Sequence, residues 1–174
     1  IDENAAIIYA MLLAVNNGLL SEEVSKRVLD IGEVFFDYFE ADYNSLETTY
    51  HFTYGTALWC DGVWLPLNKQ NLFGLAMIEL YKATNDGRYK QRVKLIANTF
   101  RTQFIFTEDQ QVAWRYWHNK YYDGWEANDA ISFNTPSRAT SSGNIVGSVY
   151  AGVDLEFISE YVASFGHDVF SADD

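Results

Sequence analysis

The chain has 174 residues, of which 48% are hydrophobic, and its 24 acidic and 12 basic residues give a formal net charge of −12. This length suits one domain, or a large piece of one, with room for a sizeable core. The acidic balance argues against nucleic acid and anionic membranes as partners, because both bind basic surfaces. No apolar run reaches the length of about 20 residues that spans a bilayer.

The start of the chain and its motifs narrow the possibilities further. The chain begins with Ile1 rather than methionine and has no basic segment there, so we expect a trimmed or processed piece of a longer chain. The single cysteine, Cys60, excludes an intrachain disulfide and a cysteine-based zinc site. No EF-hand, phosphate-loop, nucleotide-binding or metalloprotease motif occurs, and we expect neither a cofactor nor a metal ion. The oligomeric state is left open.

Apolar residues recur at helical spacing in five stretches, and short polar turns at 16–18 and 85–87 join four of them into two pairs. Ser21, followed by two glutamates, predicts the start of the second helix. Two helices joined by a short Asn/Gly turn form an antiparallel hairpin. The predicted helices cover residues 3–15, 21–39, 69–83, 87–104 and 146–165. In the third, Glu79 is predicted to point to the polar side. The residues predicted to face inward in the fourth are Tyr89, Val93, Ile96, Ala97 and Phe100, and the apolar positions of the second are Val24, Val28, Ile31, Val34, Phe35 and Tyr38.

Long aromatic connections separate the helical pairs. Residues 41–67 have no helical period but are too hydrophobic to be disordered. Residues 105–117 indicate a short irregular or β segment, in which Val112, Trp114 and Tyr116 alternate. The pattern predicts an all-α fold: stacked αα-hairpins that form an incomplete α/α toroid across 1–174, with at most a short β segment.

Aromatic residues make up 17% of the chain, and many lie in these connections. Exposed rings on loops are a common platform for sugar faces, and the alternative is packing between helices and loops. Trp59 and Trp64 precede the third predicted helix, whose first turn carries Asn68, Gln70 and Asn71. Aromatic walls beside polar groups at a helix N-terminus suit a sugar-sized ligand. We therefore predict that these five residues bind substrate; otherwise Asn68 caps the helix, and the other two amides are solvated or bonded to loops.

Three segments resemble a known group of proteins. They are LPLNKQNLFGLAMIELYKATNDGRYKQRV at 65–93, WRYWHN at 114–119 and VYAGVDLEF at 149–157. Together they resemble the C-terminal part of bacterial α/α-toroid proteins that act on uronic-acid polysaccharides, of the polysaccharide-lyase-like and glucuronyl C5-epimerase-like kinds. The resemblance covers roughly residues 60–170. Its hairpin segment is common to many α/α toroids, so this segment is specific for the fold and says little about the reaction. It implies a polysaccharide or oligosaccharide partner, and we expect a secreted or periplasmic protein.

The last helix departs from that pattern. Related-looking sequences carry an E-D-x-S-H type segment before D-[LV]-[ED]-F, whereas residues 146–150 here lack the acidic pair and the histidine. Tyr150 occupies the position of the histidine. Either this tyrosine has taken over a role in proton transfer, or the site is inactive.

Lyases and epimerases both remove the proton α to a uronate carboxylate. This step requires a base near C5 and donors that neutralise the developing charge. His51, His118 and Tyr150 are the predicted catalytic residues, with Tyr150 the leading base. The alternative for each is an ordinary packed and hydrogen-bonded residue.

Arg115 and Trp117 complete the predicted substrate-binding set. Arg115 could bind a carboxylate bidentately or pair with Asp109. Trp117 follows Tyr116, so in a strand one of these two rings would face the core and the other the cleft.

Two other functions compete with a lyase or an epimerase. A non-catalytic helical domain could bind glycan or protein through the same aromatic cleft, and the altered segment at 146–150 favours this alternative. An inverting glycoside hydrolase would instead use two carboxylates across the scissile bond. The carboxylates considered for that role are Asp61, Asp123, Glu126, Asp129, Asp154 and Glu156.

Overall fold

The computed structural model describes residues 2–53, 55, 63–106, 112–118 and 148–171, and the predicted site residue Trp59 lies outside these ranges. The described part is mostly helical, as predicted, with two short pairs of strands. The five helices are α1 (Asp2–Asn16), α2 (Glu22–Phe39), α3 (Leu67–Thr84), α4 (Gly87–Arg101) and α5 (Ser148–Phe165). The strands are β1 (Tyr43–Asn44), β2 (Thr49–Tyr50), β3 (Ile105–Phe106) and β4 (Val112–Ala113).

The helix ends follow from local sequence. Ser21 caps α2 by accepting a hydrogen bond from the Val24 amide, and Asp86 caps α4 by accepting one from the Arg88 amide. Asn85 ends α3 in the left-handed conformation, at a φ of 56°, and Gly166 follows α5 at a φ of 84°. The predicted breaks are therefore confirmed, although α4 ends at Arg101 rather than at residue 104.

Three helices, α1, α3 and α5, lie side by side and run in the same direction. At one end of α3, Asn71 bonds Asp154 of α5, and near the other end Lys82 bonds Glu160 of α5. Asn16, the last residue of α1, donates to the Glu79 side chain at 2.7 Å. Glu79 was predicted to point to the polar side of α3, but it is buried, because Asn16 and Lys82 bond its two oxygens.

Helices α2 and α4 both pack against α3, and their side chains contact each other. Phe36 of α2 meets Tyr89 of α4 edge to face, and further along Glu40 accepts two hydrogen bonds from Arg92. The predicted core face of α4 is confirmed: the buried residues are Tyr89, Val93, Ile96, Ala97 and Phe100.

Helix α2 buries only part of the apolar surface that its spacing indicates. The buried residues are Val28, Gly32, Phe35, Phe36 and Phe39. Val34 and Tyr38 are 69% and 65% exposed, and Val24 and Ile31 are also exposed. Because α2 carries apolar side chains on two sides, its helical period alone does not determine which side faces the core.

The connection between α2 and α3 contains a β-hairpin that the sequence did not reveal. Strands β1 and β2 pair antiparallel, and the Asn44 side chain closes their turn by accepting hydrogen bonds from the Leu46 and Glu47 amides. A further bridge pairs His51 with Trp64, so the chain returns beside the hairpin before α3 begins. This return places loop residues against the first turns of α3.

The second strand pair joins β3 to β4, within the segment where a β element was predicted. Residues 116–117 form a bend rather than a strand, so Tyr116 and Trp117 do not alternate as a strand would place them. None of the helices in the described ranges is long and apolar enough to cross a membrane.

Candidate functional site

The candidate site lies at the start of α3. The helix begins after Pro66, which provides no side-chain cap, and the Leu67 amide donates to the Tyr116 carbonyl at 3.1 Å. This bond attaches the 112–118 segment to the first turn of the helix. Asn68 lies within that turn, so it does not cap the helix; its Oδ1 atom is buried and has no hydrogen-bond partner within the described ranges.

Gln70 joins three separate segments of the chain. Its side chain is buried, and its Nε2 atom lies 2.7 Å from Thr49 Oγ1, 2.9 Å from the Leu65 carbonyl oxygen and 2.7 Å from His118 Nε2. Its Oε1 atom accepts a hydrogen bond from the Tyr50 amide at 3.3 Å. The alternative that this amide bonds to loops is therefore the one observed.

His118 is fully buried next to Gln70. An amide nitrogen only donates, so in this arrangement His118 Nε2 accepts and the ring proton lies on Nδ1. The imidazole also contacts the Trp64 ring edge to face, with 4.7 Å between centroids. His118 thus connects the buried Gln70 side chain to the Trp64 ring, which is only partly buried.

Glu47 holds Trp64 and His51 together at the surface. The Trp64 indole N–H donates to Glu47 Oε2 at 2.7 Å, and His51 Nε2 lies 3.2 Å from the same oxygen. The Glu47 side chain is 39% exposed and that of His51 is 14% exposed. The three side chains therefore form the solvent-facing end of a polar chain that begins at Gln70.

Glu47 and Trp64 line a groove of about 230 Å³, which we call the Trp64 groove. Its other wall is one side of α4 and the residues that follow it. The lining residues are Glu47, Thr48, Trp64, Leu95, Asn98, Thr99, Thr102 and Gln103. His51 lines a separate groove of about 360 Å³ with residues 41–46.

A second buried polar cluster lies one residue further along α3. Asn71 Nδ2 donates to Asp154 Oδ1, and Trp114 Nε1 donates to Asp154 Oδ2, both at 2.7 Å. Burial raises the pKa of Asp154 to about 6, although the two hydrogen bonds act in the opposite direction. Glu156 lies outside this cluster and accepts a hydrogen bond from Tyr9 of α1.

The structure therefore brings together some of the predicted site residues. His51, Trp64, Gln70 and His118 form one connected group, and Asn71 belongs to the neighbouring Asp154 cluster. Three further predicted site residues fall within the described ranges. Asn68 and Arg115 are half-buried, and Trp117 is buried. The side chain of Tyr150, like Trp59, lies outside what the structure describes.

Two members of the group, Glu47 and Thr49, were missed. Glu47 precedes His51 by four residues, but that spacing carries meaning only once the hairpin between them is known. Within the described ranges, no three His, Cys, Asp or Glu side chains are grouped to hold a metal ion.

The described part is a mostly helical domain in which the buried Gln70–His118 contact supports the Trp64 ring of the Trp64 groove. Comparisons with protein-family models, with curated proteins and with solved structures find no significant match to this chain.

Proposed function

We propose that this domain binds carbohydrate in the Trp64 groove. The observation that carries the proposal is the position of Trp64: it is partly buried, lines the groove, and is held by an indole N–H bond to Glu47. An oriented ring of this kind stacks on the C–H face of a sugar, while neighbouring polar groups bond its hydroxyls.

The rest of the lining supports the same ligand. Asn98 and Gln103 contribute amides, and Thr48, Thr99 and Thr102 contribute hydroxyls. These groups donate and accept hydrogen bonds without a net charge, as sugar hydroxyls do. Glu47 is the one ionisable side chain among the described lining residues.

Calorimetric titration with a panel of neutral and uronate oligosaccharides tests this proposal. We expect at least one of them to bind, and Trp64→Ala to weaken that binding about tenfold or more, equivalent to about 1.4 kcal/mol. Trp64→Phe retains a ring and should lose less. Tyr38→Ala, at an exposed ring on α2, is the matched control and should bind as the wild type does. Absence of any binding, or unchanged binding by Trp64→Ala, would sink the proposal.

A second candidate function is proton abstraction from a uronate sugar, of the lyase or epimerase type. The observation that favours it is the pairing of His51 with Glu47, because a carboxylate that orients an imidazole is a frequent arrangement for a general base. This function would act on an acidic polysaccharide, and Tyr150 would be the second proton-transfer group.

The test for this chemistry is product formation from uronate polymers. A lyase raises the ultraviolet absorbance through its unsaturated product, and an epimerase exchanges the C5 proton in deuterated water. Either signal should fall in His51→Ala and in Tyr150→Phe. If neither signal exceeds that of a buffer blank, the catalytic candidate is rejected while carbohydrate binding stands.

We also propose that the helices form part of an α/α toroid. Two features support this: α1, α3 and α5 run in one direction, and α2 and α4 cover one side of them, with their own shared direction. Inner and outer helices of a toroid have this relationship. An experimental structure in which α1, α3 and α5 do not curve around a common axis would refute the arrangement.

A further inference from the structure

A second groove along α4 shares one lining residue with the Trp64 groove. The second one, which we call the Arg88 groove, has a volume of about 290 Å³. Its lining residues are Phe36, Asp37, Glu40, Arg88, Gln91, Arg92 and Leu95. Leu95 lines both grooves, so the two meet at this residue.

One face of α4 forms a wall of both grooves. The lining positions on this helix are 88, 91, 92, 95, 98 and 99, followed by 102 and 103 just beyond its end. Each of these positions on α4 lies three or four residues from another one in the set, so they share one side of the helix. At about 1.5 Å per residue, the combined trough is about 20 Å long.

We propose that this α4 trough binds an uncharged oligosaccharide chain of several sugar units, with one unit stacked on Trp64. The proposal rests on carbohydrate binding in the Trp64 groove and extends it from a single sugar to a chain. An elongated ligand fits because a single sugar ring would leave the Arg88 groove unfilled.

The charges along the trough favour an uncharged chain. Arg88 lies between two carboxylates, with Nη1 3.3 Å from Asp37 and Nε 2.8 Å from Asp86. Arg92 donates two hydrogen bonds to Glu40 and stacks over Tyr43. Both guanidinium groups are therefore already neutralised, and Glu47 adds a negative charge at the other end. The four carboxylates outnumber the two guanidinium groups, so the trough offers a polyanion no excess of positive charge.

The helical wall disfavours an extended peptide as the occupant. Peptides in extended form bind chiefly by adding a strand to a sheet edge, through backbone hydrogen bonds. The backbone groups of α4 are bonded within the helix, so this wall offers amide, hydroxyl and guanidinium side chains instead. These groups suit the hydroxyls of a sugar chain.

Chain length is the variable that tests the proposal. Using the neutral oligosaccharide that binds in the initial panel, the affinity of its disaccharide, tetrasaccharide and hexasaccharide would be measured by calorimetry. We expect affinity to rise about tenfold or more from disaccharide to tetrasaccharide. Leu95→Trp places a large side chain where the grooves meet, so its ratio of tetrasaccharide to disaccharide affinity should fall to about one.

A milder variant guards against misfolding of Leu95→Trp. Gln91→Ala lies in the Arg88 groove, and it should weaken the tetrasaccharide several-fold without changing the disaccharide affinity. Lys90→Ala, on the same helix but outside the trough, should leave both unchanged. Equal affinity at all lengths, or a length gain that survives in both variants, would overturn the chain proposal while single-sugar binding stands. Tighter binding of the matching oligouronate, or of an extended peptide, would also overturn it.

Discussion

Asn71 on α3 and Asp154 on α5 are joined by a buried hydrogen bond of 2.7 Å. Trp114 donates to the second carboxylate oxygen, so one acid is held by two uncharged donors from two other segments. Neither donor supplies a positive charge, and burial raises the pKa of Asp154 to about 6. The buried carboxyl group that ties α5 to α3 is therefore also a source of pH dependence.

Asp154 should make the stability fall as pH rises from about 4 to about 6. The folded state binds this proton more tightly than the unfolded chain, where the pKa is near 3.8, so the stabilisation is present at low pH and is lost above the folded pKa. At 1.36 kcal/mol per pKa unit, the loss is about 3 kcal/mol. Urea unfolding across this range should show the loss in the wild type and not in Asp154→Asn.

Asp30→Asn is the control for this measurement. Asp30 is exposed on α2, and its substitution makes the same change in charge. It should retain the pH dependence of the wild type. The assignment would be wrong if Asp30→Asn flattened the pH profile as strongly as Asp154→Asn, or if neither variant changed it.

Gly74 of α3 packs tightly against the Phe157 ring of α5. A Cβ atom at this position would lie 2.5 Å from Phe157 Cε2, and the Phe157 ring is itself fully buried. Gly74→Ala should therefore destabilise the fold by about 1–3 kcal/mol through overpacking. Thermal unfolding followed by circular dichroism measures this effect.

Gly152 provides the matched comparison, because it lies in α5 with no atom within 4 Å of an added Cβ. Gly152→Ala should stabilise the fold by about 0.5–1 kcal/mol, since alanine favours a helix more than glycine does. Equal effects of the two substitutions would show that helix propensity, rather than contact with Phe157, determines the outcome at Gly74.

The sequence was sufficient to predict the helices because their signals are local. The apolar face of α4, the start of α2 at Ser21 and the turn at 85–87 depend on residues a few positions apart, and these predictions are confirmed. The exposed side of α2 and the buried Glu79 could not be predicted in this way. Which apolar side of α2 is covered, and which groups bond Glu79, depend on helices elsewhere in the chain.

The candidate site shows the same limit. Gln70 and His118 were both selected from the sequence, but their contact joins residues 48 positions apart, and no spacing rule reveals it. Glu47 was missed because its role depends on the β1–β2 hairpin, whose strands have two residues each. Strands this short carry almost no periodic signal.

Arg92 should be sensitive to a change that keeps its charge. Its guanidinium donates two hydrogen bonds to Glu40 and stacks over the Tyr43 ring, and its side chain is only 15% exposed. Lysine cannot reproduce this planar, two-pronged geometry. Arg92→Lys should therefore lower the free energy of unfolding by about 1–2 kcal/mol, measured by urea denaturation. Arg88→Lys, at a side chain that is 55% exposed, should change it by less than about 0.5 kcal/mol. A loss of similar size in both variants would contradict a special role for the Arg92 geometry.

Gln70 should be the most costly polar residue to replace at the start of α3. Gln70→Met keeps an unbranched side chain but removes the groups that face His118 Nε2, the Tyr50 amide and the Leu65 carbonyl. Buried groups that lose their partners retain the full penalty of leaving water, so the free energy of unfolding should fall by about 2–4 kcal/mol. Gln91→Met makes the same chemical change at an exposed position of α4 and should be nearly neutral.

The same Gln70 substitution also tests whether the buried cluster positions the groove. His118 contacts the Trp64 ring, so loss of its Gln70 partner should alter the surroundings of that indole. A comparison of tryptophan-indole N–H resonances in the wild type, Gln70→Met and Trp64→Phe identifies the Trp64 signal and its shift. If that resonance is unchanged in Gln70→Met while stability falls, the amide supports the fold without orienting Trp64, and the groove depends on Glu47 alone for its alignment.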